Sequence, residues 1–203
     1  MTQIRSHTVP VTAFIIVTLI IIWSGLDPQF PDVWLAEIIP VVSILAPLLM
    51  TYRFFQFSNT AYILIAIWMS LHTIGAHYTF ANVPFDWFTE LTGSQRNNFD
   101  RIAHFSIGLY AYPIAEFIVR KQYCKPLVAT LFALATIMAI AAGYEIIEWW
   151  YASLAGGDAG IEFLGSQGDI WDAQKDMFAD TLGAFTSLIL FHIIKPYQRE
   201  SVS

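Results

Sequence analysis

Three pairs of ionisable residues occur in the sequence, and the members of each pair are three or four positions apart. Two pairs are acidic, and the third combines an aspartate with a histidine. The pairs are Asp100 with His104, Glu145 with Glu148, and Asp176 with Asp180. Side chains at this spacing lie on one side of a helix, with Cβ atoms roughly 5–6 Å apart. The flanking residues are largely apolar, and ionisable groups in such surroundings are costly to bury, so they point to function.

Carboxylates combined with an imidazole are typical ligands of divalent cations such as Mg²⁺, Mn²⁺, Fe²⁺ or Zn²⁺. Helical bundles build such metal sites from side chains on facing helices. We predict that a divalent metal ion, whose identity the sequence leaves open, is bound by five of these side chains. They are His104, Glu145, Glu148, Asp176 and Asp180. An HExxH motif does not occur, so this ligand set rests on position and charge.

A catalytic set overlaps the predicted metal site. His104 belongs to both, Asp100 would orient its imidazole, and Arg101 and Lys175 would bind an anionic group of a substrate. Two further aspartates near Lys175 bring the number of carboxylates to seven, against these two basic side chains. So many carboxylates cannot all stay ionised in a low dielectric without protons or a cation.

The composition indicates which elements must position these residues. Of 203 residues, 56% are hydrophobic and 13% are charged, about half the roughly 25% charge of a typical soluble domain. The apolar residues form six stretches, each near the ~20 residues that a helix needs to cross a bilayer. They cover residues 8–26, 33–52, 60–80, 102–119, 126–148 and 177–194. The expected fold is all-α, a single polytopic bundle of six transmembrane helices.

The distribution of Lys and Arg predicts the orientation of this bundle, because these residues accumulate in cytoplasmic loops. With the N terminus inside, seven of the ten basic residues fall on the cytoplasmic side. These are Arg5, Arg53, Arg120, Lys121, Lys125, Lys195 and Arg199. We therefore predict cytoplasmic N and C termini, which places the acidic pairs toward the outer face.

The connections between the stretches add further expectations. Two long outer connections, residues 81–99 and 151–167, are expected to cover a site, and the first contains a short helical pattern typical of the membrane interface. The only cysteine, Cys124, excludes an intrachain disulfide and a Cys-based metal site. Without a basic patch on the outer side, we expect no nucleic-acid partner. The oligomeric state stays open.

Several of these residues also have a purely structural interpretation. Asp100 suits the first turn of a helix, and Asp169 with Asp172 resembles a capping pair. His72 and His77 lie about 140° apart on their helix, so they cannot both face one site.

Three other residues near helix ends or crossings were weighed in the same way. Glu116 lies four residues before Arg120 and predicts an ion pair at the cytoplasmic edge. Gly183 is expected to serve close helix packing. Asp180 is the hardest residue to explain structurally, because it lies roughly 12 Å below Asp172 along the helix, too deep for a cap.

Three longer segments carry these acids together with aromatic and small residues. They are residues 96–105 (RNNFDRIAHF), 144–150 (YEIIEWW) and 164–177 (LGSQGDIWDAQKDM). With them the chain resembles, over nearly its whole length, the bacterial inner-membrane family typified by YjdF. That resemblance implies a multi-pass protein of the bacterial inner membrane, and it implies no reaction. A looser similarity to VanZ-like envelope proteins, which pair an Asp and a His at the start of one helix, serves as analogy only.

Three functions stay open at this point. A metal-dependent enzyme would use metal-bound water against a membrane lipid or lipid-linked envelope substrate at the outer leaflet. A proton- or cation-coupled transporter would use Asp180 and Glu145 as protonation sites and His104 as a relay. The cytoplasmic halves of the helices offer almost no polar path for transport. A structural or assembly protein would bind an ion only to hold the bundle together. Site chemistry favours the enzyme.

Overall fold

The computed structural model describes residues 7–198, and the regular structure in this range is helical. The helices are α1 (Thr8–Ser24), α2 (Pro31–Thr51), α3 (Asn59–Tyr78), α4 (Asp86–Thr92), α5 (Phe99–Gly108), α6 (Ala111–Arg120), α7 (Pro126–Ala155), α8 (Gly157–Leu164) and α9 (Asp172–Ile194). A 3-10 turn at Phe80–Asn82 follows α3. Arg5 and Arg199, which support the predicted orientation, lie outside the described residues.

Five apolar segments are long enough to cross a membrane, namely α2, α3, α5 together with α6, α7 and α9. Helix α1 is a shorter apolar helix of 17 residues. These six segments correspond to the six predicted ones, so the all-α transmembrane fold is confirmed. Because six crossings alternate in direction, both ends of the described chain lie on one side of the bundle. The cytoplasmic location of that side stays a prediction.

Several helices extend beyond the predicted boundaries. Helix α7 continues to Ala155 instead of ending at residue 148, and α9 begins at Asp172 instead of residue 177. Hydropathy ends a segment where charged residues begin, whereas the helical backbone continues through them. The extra turns matter because Asp172 and Asp176 thereby become part of a regular helix.

The fourth membrane segment is broken between Gly108 and Ala111. The N–H groups of Leu109 and Tyr110 bond to carbonyl oxygens three residues earlier instead of four. Pro113 accounts for the break, because proline has no N–H and its ring clashes with the carbonyl four residues earlier, that of Leu109. Helix α5 packs against α3 and α9, while α6 packs against α7 and α9.

Helices α5 and α9 cross at two glycines, Gly108 and Gly183. A Cβ atom at Gly183 would clash with the backbone oxygen of Phe105, and one at Gly108 would clash with that of Asp180. Small residues let the backbones of membrane helices approach closely. The crossing therefore brings His104 against the face of α9 that carries Asp180, and the predicted packing role of Gly183 is confirmed.

Most acidic residues of the described helices lie at one end of the bundle, and most basic residues lie at the other. The acidic end is formed by the N-terminal halves of α2, α5 and α9 and the C-terminal halves of α3 and α7. Its acidic residues on these helices include Glu37, Asp100, Glu145, Glu148, Asp172, Asp176 and Asp180. The basic end carries Arg53, Arg120, Lys121, Lys125 and Lys195.

A buried ion pair organises the basic end. Glu116 is fully buried and accepts hydrogen bonds from Arg120 Nη1 (2.6 Å), Ser58 N (2.7 Å) and Ser58 Oγ (2.6 Å). Ser58 is also the N-cap of α3, where its hydroxyl accepts a bond from Ala61 N. The predicted Glu116–Arg120 pair is confirmed, and it additionally fixes the start of α3.

Candidate functional site

His104 lies at the centre of the acidic end, between carboxylates of α5 and α9. Its Nδ1 atom lies 3.3 Å from both carboxylate oxygens of Asp180. Its Nε2 atom lies 3.6 Å from Asp100 Oδ1 and 3.9 Å from Asp176 Oδ1. All four side chains are buried. Spacing by four residues puts each pair on one helix face, and the glycine crossing makes the two faces meet.

Three of these side chains form a group that can hold a metal ion. Asp100, His104 and Asp176 each offer one ligand atom, and these atoms lie within 4.8 Å of one another. Asp180, on the Nδ1 side of the ring, stands where a carboxylate orients a metal-binding histidine. Asp100, which is not in the predicted ligand set, is thus a candidate ligand. Asp180, which is in that set, instead lies on the Nδ1 side of the imidazole.

Two arginines balance part of the negative charge. Arg101 Nη2 lies 2.5 Å from Asp172 Oδ1, and Arg101 Nη1 pairs with Asp176. Arg96 Nη2 lies 3.0 Å from Asp100 Oδ2 and 2.8 Å from Asp172 Oδ1. Asp172 therefore bridges both guanidinium groups, a role beyond the helix cap that its position in the sequence predicts. Arg96 is not among the predicted site residues, although its position four residues before Asp100 indicates an ion pair between the two.

Glu145 and Glu148 add two carboxylates from α7. Glu148 is buried and lines the same cavity as His104. Glu145 Oε1 is also buried, and it makes no hydrogen bond with the described residues. Both lie in electrostatic range of His104 but outside the three-residue group. The cluster thus contains six carboxylates but two guanidinium groups and one imidazole. This excess of negative charge requires protons or a bound cation.

A cavity of about 110 Å³ lies beside His104. One part of its wall carries Asp100, His104, Glu148 and Asp180, and the rest is mostly apolar. Since a water needs roughly 10–15 Å³ measured in this way, the cavity has room for several waters or for a small polar group. The cluster therefore borders a space where a ligand can reach it.

A further buried carboxylate, that of Glu37 on α2, contacts two residues of the cavity wall. Glu37 Oε2 accepts a hydrogen bond of 2.5 Å from the Tyr144 hydroxyl and lies 3.1 Å from His72 Nε2. The Tyr144 ring lies 6.3 Å from the rings of both His72 and His104. His77 turns away and contacts the Ser24 carbonyl oxygen, so the two histidines of α3 face different surroundings, as predicted. Tyr144 has no predicted role.

The two long connections meet over the acidic end. Asn97 N donates to Gln167 Oε1, and Gln167 Nε2 donates to Asn97 O, both at 3.0 Å. Arg96 Nη1 donates to the Ser166 carbonyl oxygen at 2.6 Å. The short helix predicted in the first connection is α4, and the second contains the last turns of α7 and all of α8.

Asp169 and Lys175 lie at the surface of the acidic end. Because α9 begins at Asp172, Asp169 precedes this helix. Asp169 Oδ1 accepts a bond from Trp171 N. Lys175 Nζ donates to Asp169 Oδ2 at 2.6 Å, a bond that holds the pKa of Asp169 below its usual value. The Lys175 side chain is 54% exposed and does not line the cavity.

The fold and the cluster define a multi-pass, all-helical membrane protein with a buried Asp/His site near one end. The chain belongs to the family described as Predicted membrane protein (DUF2238), whose model matches residues 9–196. It is similar to the inner membrane protein YjdF of Escherichia coli (strain K12), with 38% identity over 181 residues, covering 88% of this chain and 86% of the relative. No solved structure matches the chain significantly. The predicted family and inner-membrane location are confirmed, and the looser VanZ-like similarity stays a prediction.

Proposed function

We propose that the protein is a metal-dependent membrane enzyme, a hydrolase or transferase, that acts on a lipid or lipid-linked envelope substrate. The observation that carries this proposal is the buried group of Asp100, His104 and Asp176, which borders a cavity with polar and apolar walls. The donor set of two carboxylates and one imidazole suits a divalent cation.

The charge balance supports a cation at this group. The guanidinium groups of Arg96 and Arg101 are shared among Asp100, Asp169, Asp172 and Asp176. The other carboxylates of the cluster, on α7 and deeper on α9, have no basic residue other than His104 among their ion-pair partners in the described chain. A divalent ion would reduce this excess without requiring several protons.

The position of the cavity favours a lipid over a water-soluble substrate. It lies among membrane-crossing helices, and its apolar wall includes Pro40 and Ile44 of α2 and Ile140 of α7. Both helices expose many apolar side chains, as expected for surfaces that face lipid. A substrate with a polar headgroup and an apolar tail matches these two kinds of wall.

Several residues of the cluster have a role in this proposal. A divalent ion at the site would supply a Lewis acid and an activated water. Asp180 would hold the His104 ring in position through Nδ1. Glu148, on the cavity wall, would accept the proton of the attacking water. Arg101 would keep Asp176 in place through their direct ion pair.

The test compares two aspartates one turn apart on α9. Purified protein is washed with a chelator, and its melting temperature is measured with and without Mn²⁺, Mg²⁺ or Zn²⁺. We expect at least one ion to raise the melting temperature, and Asp176→Asn to abolish that rise. Asp172→Asn is the matched control, because Asp172 also pairs with Arg101 but lies outside the three-residue group. It should keep the ion-dependent rise.

Activity is then measured on total bacterial lipid extract with the stabilising ion, following headgroup cleavage or transfer by mass spectrometry. Turnover that requires the ion and disappears in Asp176→Asn supports the enzyme. A chain that neither binds nor responds to any of the three ions overturns the metal site. Ion binding without any altered lipid would favour the structural role, in which the ion only holds the bundle together.

One observation favours a proton-coupled transporter as the second candidate. Asp180, His104 and Asp100 form a continuous series of titratable groups, which is suited to a proton relay. Toward the basic end, however, the space beyond the cavity is lined mainly by apolar side chains. Proton flux into proteoliposomes that disappears in Asp180→Asn, with no ion binding to the wild type, would favour this function over the enzyme.

A further inference from the structure

One carboxylate has no partner on the wall of the cavity beside His104, which we call the acidic cavity. Glu148 lines this cavity and is only 8% exposed. Within the part of the chain that the structure describes, its carboxylate makes no hydrogen bond and no ion pair. Buried carboxylates are normally paired or hydrogen-bonded, because burial without donors is costly. Glu148 therefore indicates a donor that comes from a ligand.

Glu37, on the α2 side of the cavity, is by contrast already satisfied. It accepts a hydrogen bond of 2.5 Å from the Tyr144 hydroxyl and lies 3.1 Å from His72 Nε2. Tyr144 and Glu148 are four residues apart on α7, so they share one helix face, and both line the cavity. Because a phenol has a single O–H to donate, the bond to Glu37 leaves Tyr144 no donor for Glu148.

One divalent ion would not neutralise the cluster. Six carboxylates and two guanidinium groups sum to four negative charges when the imidazole is neutral, and a divalent ion reduces this excess to two. That ion would be held by Asp100, His104 and Asp176, a group that does not include Glu148. A further cationic group beside Glu148 would lower the remaining excess.

Aromatic side chains form much of the remaining wall. The rings that line the cavity are those of Trp68, His72, Phe80 and Tyr144. The His72 ring lies 4.8 Å from that of Trp68 and 5.2 Å from that of Phe80, so these rings form one group. Aromatic rings attract a cation within roughly 6 Å, whereas Trp68 and Phe80 supply no ligand atom for a metal ion. This wall therefore suits an organic cation.

The kind of organic cation follows from the hydrogen bonds that it must make. A primary ammonium group has three N–H donors, whereas a quaternary ammonium group has none. Donors are needed by Glu148 and also by Asp180, which lines the same cavity and whose Oδ1 atom is buried without a hydrogen bond to the described residues. The volume of about 110 Å³ limits the group to a small one.

We propose that the acidic cavity binds a primary ammonium group, with the carboxylate of Glu148 as its partner. Assigning this ammonium group to a lipid headgroup rests on the proposed function, whose substrate would then be an aminolipid. The ammonium site itself does not depend on that function. Because a carboxylate has two oxygens, Glu148 can bind the ammonium group with one and accept the proton of the attacking water with the other.

The direction of the cavity is consistent with a lipid headgroup. Its apolar wall includes Ile44 of α2 and Ile140 of α7. Both lie farther from the acidic end than Glu148 does, because α2 runs away from that end and α7 runs toward it. A lipid of the leaflet at the acidic end would therefore place its headgroup beside Glu148 and its chains toward these apolar residues.

The experiment compares two lipids that have the same acyl chains. The full chain in detergent micelles is incubated with equimolar phosphatidylethanolamine and phosphatidylcholine, whose headgroups differ only in N-methylation, and bound lipid is counted by native mass spectrometry. We expect phosphatidylethanolamine to be enriched several-fold. Equal retention of the two lipids by the wild type would overturn the proposal, and this comparison does not rely on the folding of any variant.

Two variants on α7 form a matched pair. Glu148→Gln removes a charge from the cavity wall, whereas Glu145→Gln removes a charge from the same cluster at a position that does not line the cavity. The enrichment should disappear in Glu148→Gln and persist in Glu145→Gln. Equal loss in both variants would overturn the proposal, because the overall charge of the cluster would then attract the amine.

Soluble ethanolamine distinguishes the two sources of an ammonium group. If the lipid is the source, ethanolamine alone should leave the melting temperature nearly unchanged. A rise in melting temperature with ethanolamine, absent in Glu148→Gln and without enrichment of phosphatidylethanolamine, would support the ammonium site and make its ligand a soluble amine.

Failure of this proposal is distinguishable from failure of the proposed function. Enrichment should persist when Mn²⁺ is added, because the ion would use a different group of side chains. Enrichment that Mn²⁺ abolishes would overturn the assignment to Glu148, since the amine would then occupy the place of the ion. Enrichment in a protein that binds no divalent ion would retain the ammonium site and refute the metal-dependent enzyme. Ion-dependent lipid turnover without enrichment would refute the ammonium site alone.

Discussion

Two buried acidic sites lie at opposite ends of the bundle, and they are built differently. At the basic end, one carboxylate, that of Glu116, meets one guanidinium group and two donors of Ser58. At the acidic end, six carboxylates share two guanidinium groups and one imidazole, beside a cavity. A balanced, fully bonded pair is what a structural role requires. An unbalanced cluster beside open space is what a binding site requires.

The largest effect is expected from a substitution that breaks the balanced site around Glu116. Glu116→Ala leaves Arg120 and the Ser58 donors without their carboxylate, and removing one partner of a buried ion pair costs about 3–5 kcal/mol. We expect a large fall in melting temperature in detergent and a smaller folded fraction on size-exclusion chromatography. The protein that still folds should keep its response to divalent ions. Loss of that response together with full stability would contradict the assignment of a structural role to Glu116.

The second prediction makes the opposite change at the unbalanced site. Asp180→Asn removes one carboxylate from an excess, so the ion-free protein should be as stable as the wild type or more stable. Because Asp180 holds the His104 ring, ion affinity should fall about 10–100-fold. Titration of the melting temperature with the ion measures both quantities. A marked loss of stability without ions would show that Asp180 belongs to a balanced structural network.

A third prediction concerns the crossing that holds the unbalanced site together. Gly183→Ala introduces a methyl group against the Phe105 carbonyl, and such overpacking typically costs about 1–3 kcal/mol, partly offset by the ~1 kcal/mol helix preference of alanine. We expect a moderate loss of stability and weaker ion binding. Gly143→Ala on α7 is the control, since no atom lies within 4 Å of an added Cβ there. It should be neutral or stabilising.

The smallest effect is expected at the rim of the acidic end. Lys175→Ala removes an exposed contact to Asp169, and exposed ion pairs contribute little. We expect no resolvable change in melting temperature near neutral pH. Because Lys175 lowers the pKa of Asp169, the contribution of this ion pair to stability is present at pH values above the ordinary pKa of an aspartate. It is lost as the pH falls through the lowered pKa. A clear effect of Lys175→Ala on ion affinity would place Lys175 in the site after all.

The sequence predicts the fold well, because each membrane segment is a continuous apolar run that hydropathy detects independently. It also predicts the convergence of His104, Asp176 and Asp180, since i,i+4 spacing and alternating helix direction together determine which ends of the helices meet. The sequence does not predict the helix boundaries near charged residues. Helix α9 starts at Asp172 because the backbone continues through a polar turn that hydropathy excludes.

The detailed roles within the site depend on packing that spacing cannot supply. Whether Asp100 or Asp180 faces Nε2 of His104 depends on the rotation of α5 against α9, which the Gly108–Gly183 contact sets. The involvement of Arg96 depends on a connection that folds back over the cluster. Tyr144 contacts Glu37 across 107 positions of the sequence, a contact with no local signal at all.

The most direct test of the unbalanced site is Mn²⁺ binding followed by pulsed electron paramagnetic resonance. The wild-type protein should bind one Mn²⁺ per chain and show coupling to a single imidazole nitrogen. His104→Gln should remove that coupling, and His72→Gln, which alters the other buried histidine of the acidic end, should retain it. Absence of bound Mn²⁺, or a nitrogen coupling that survives in His104→Gln, would contradict the account.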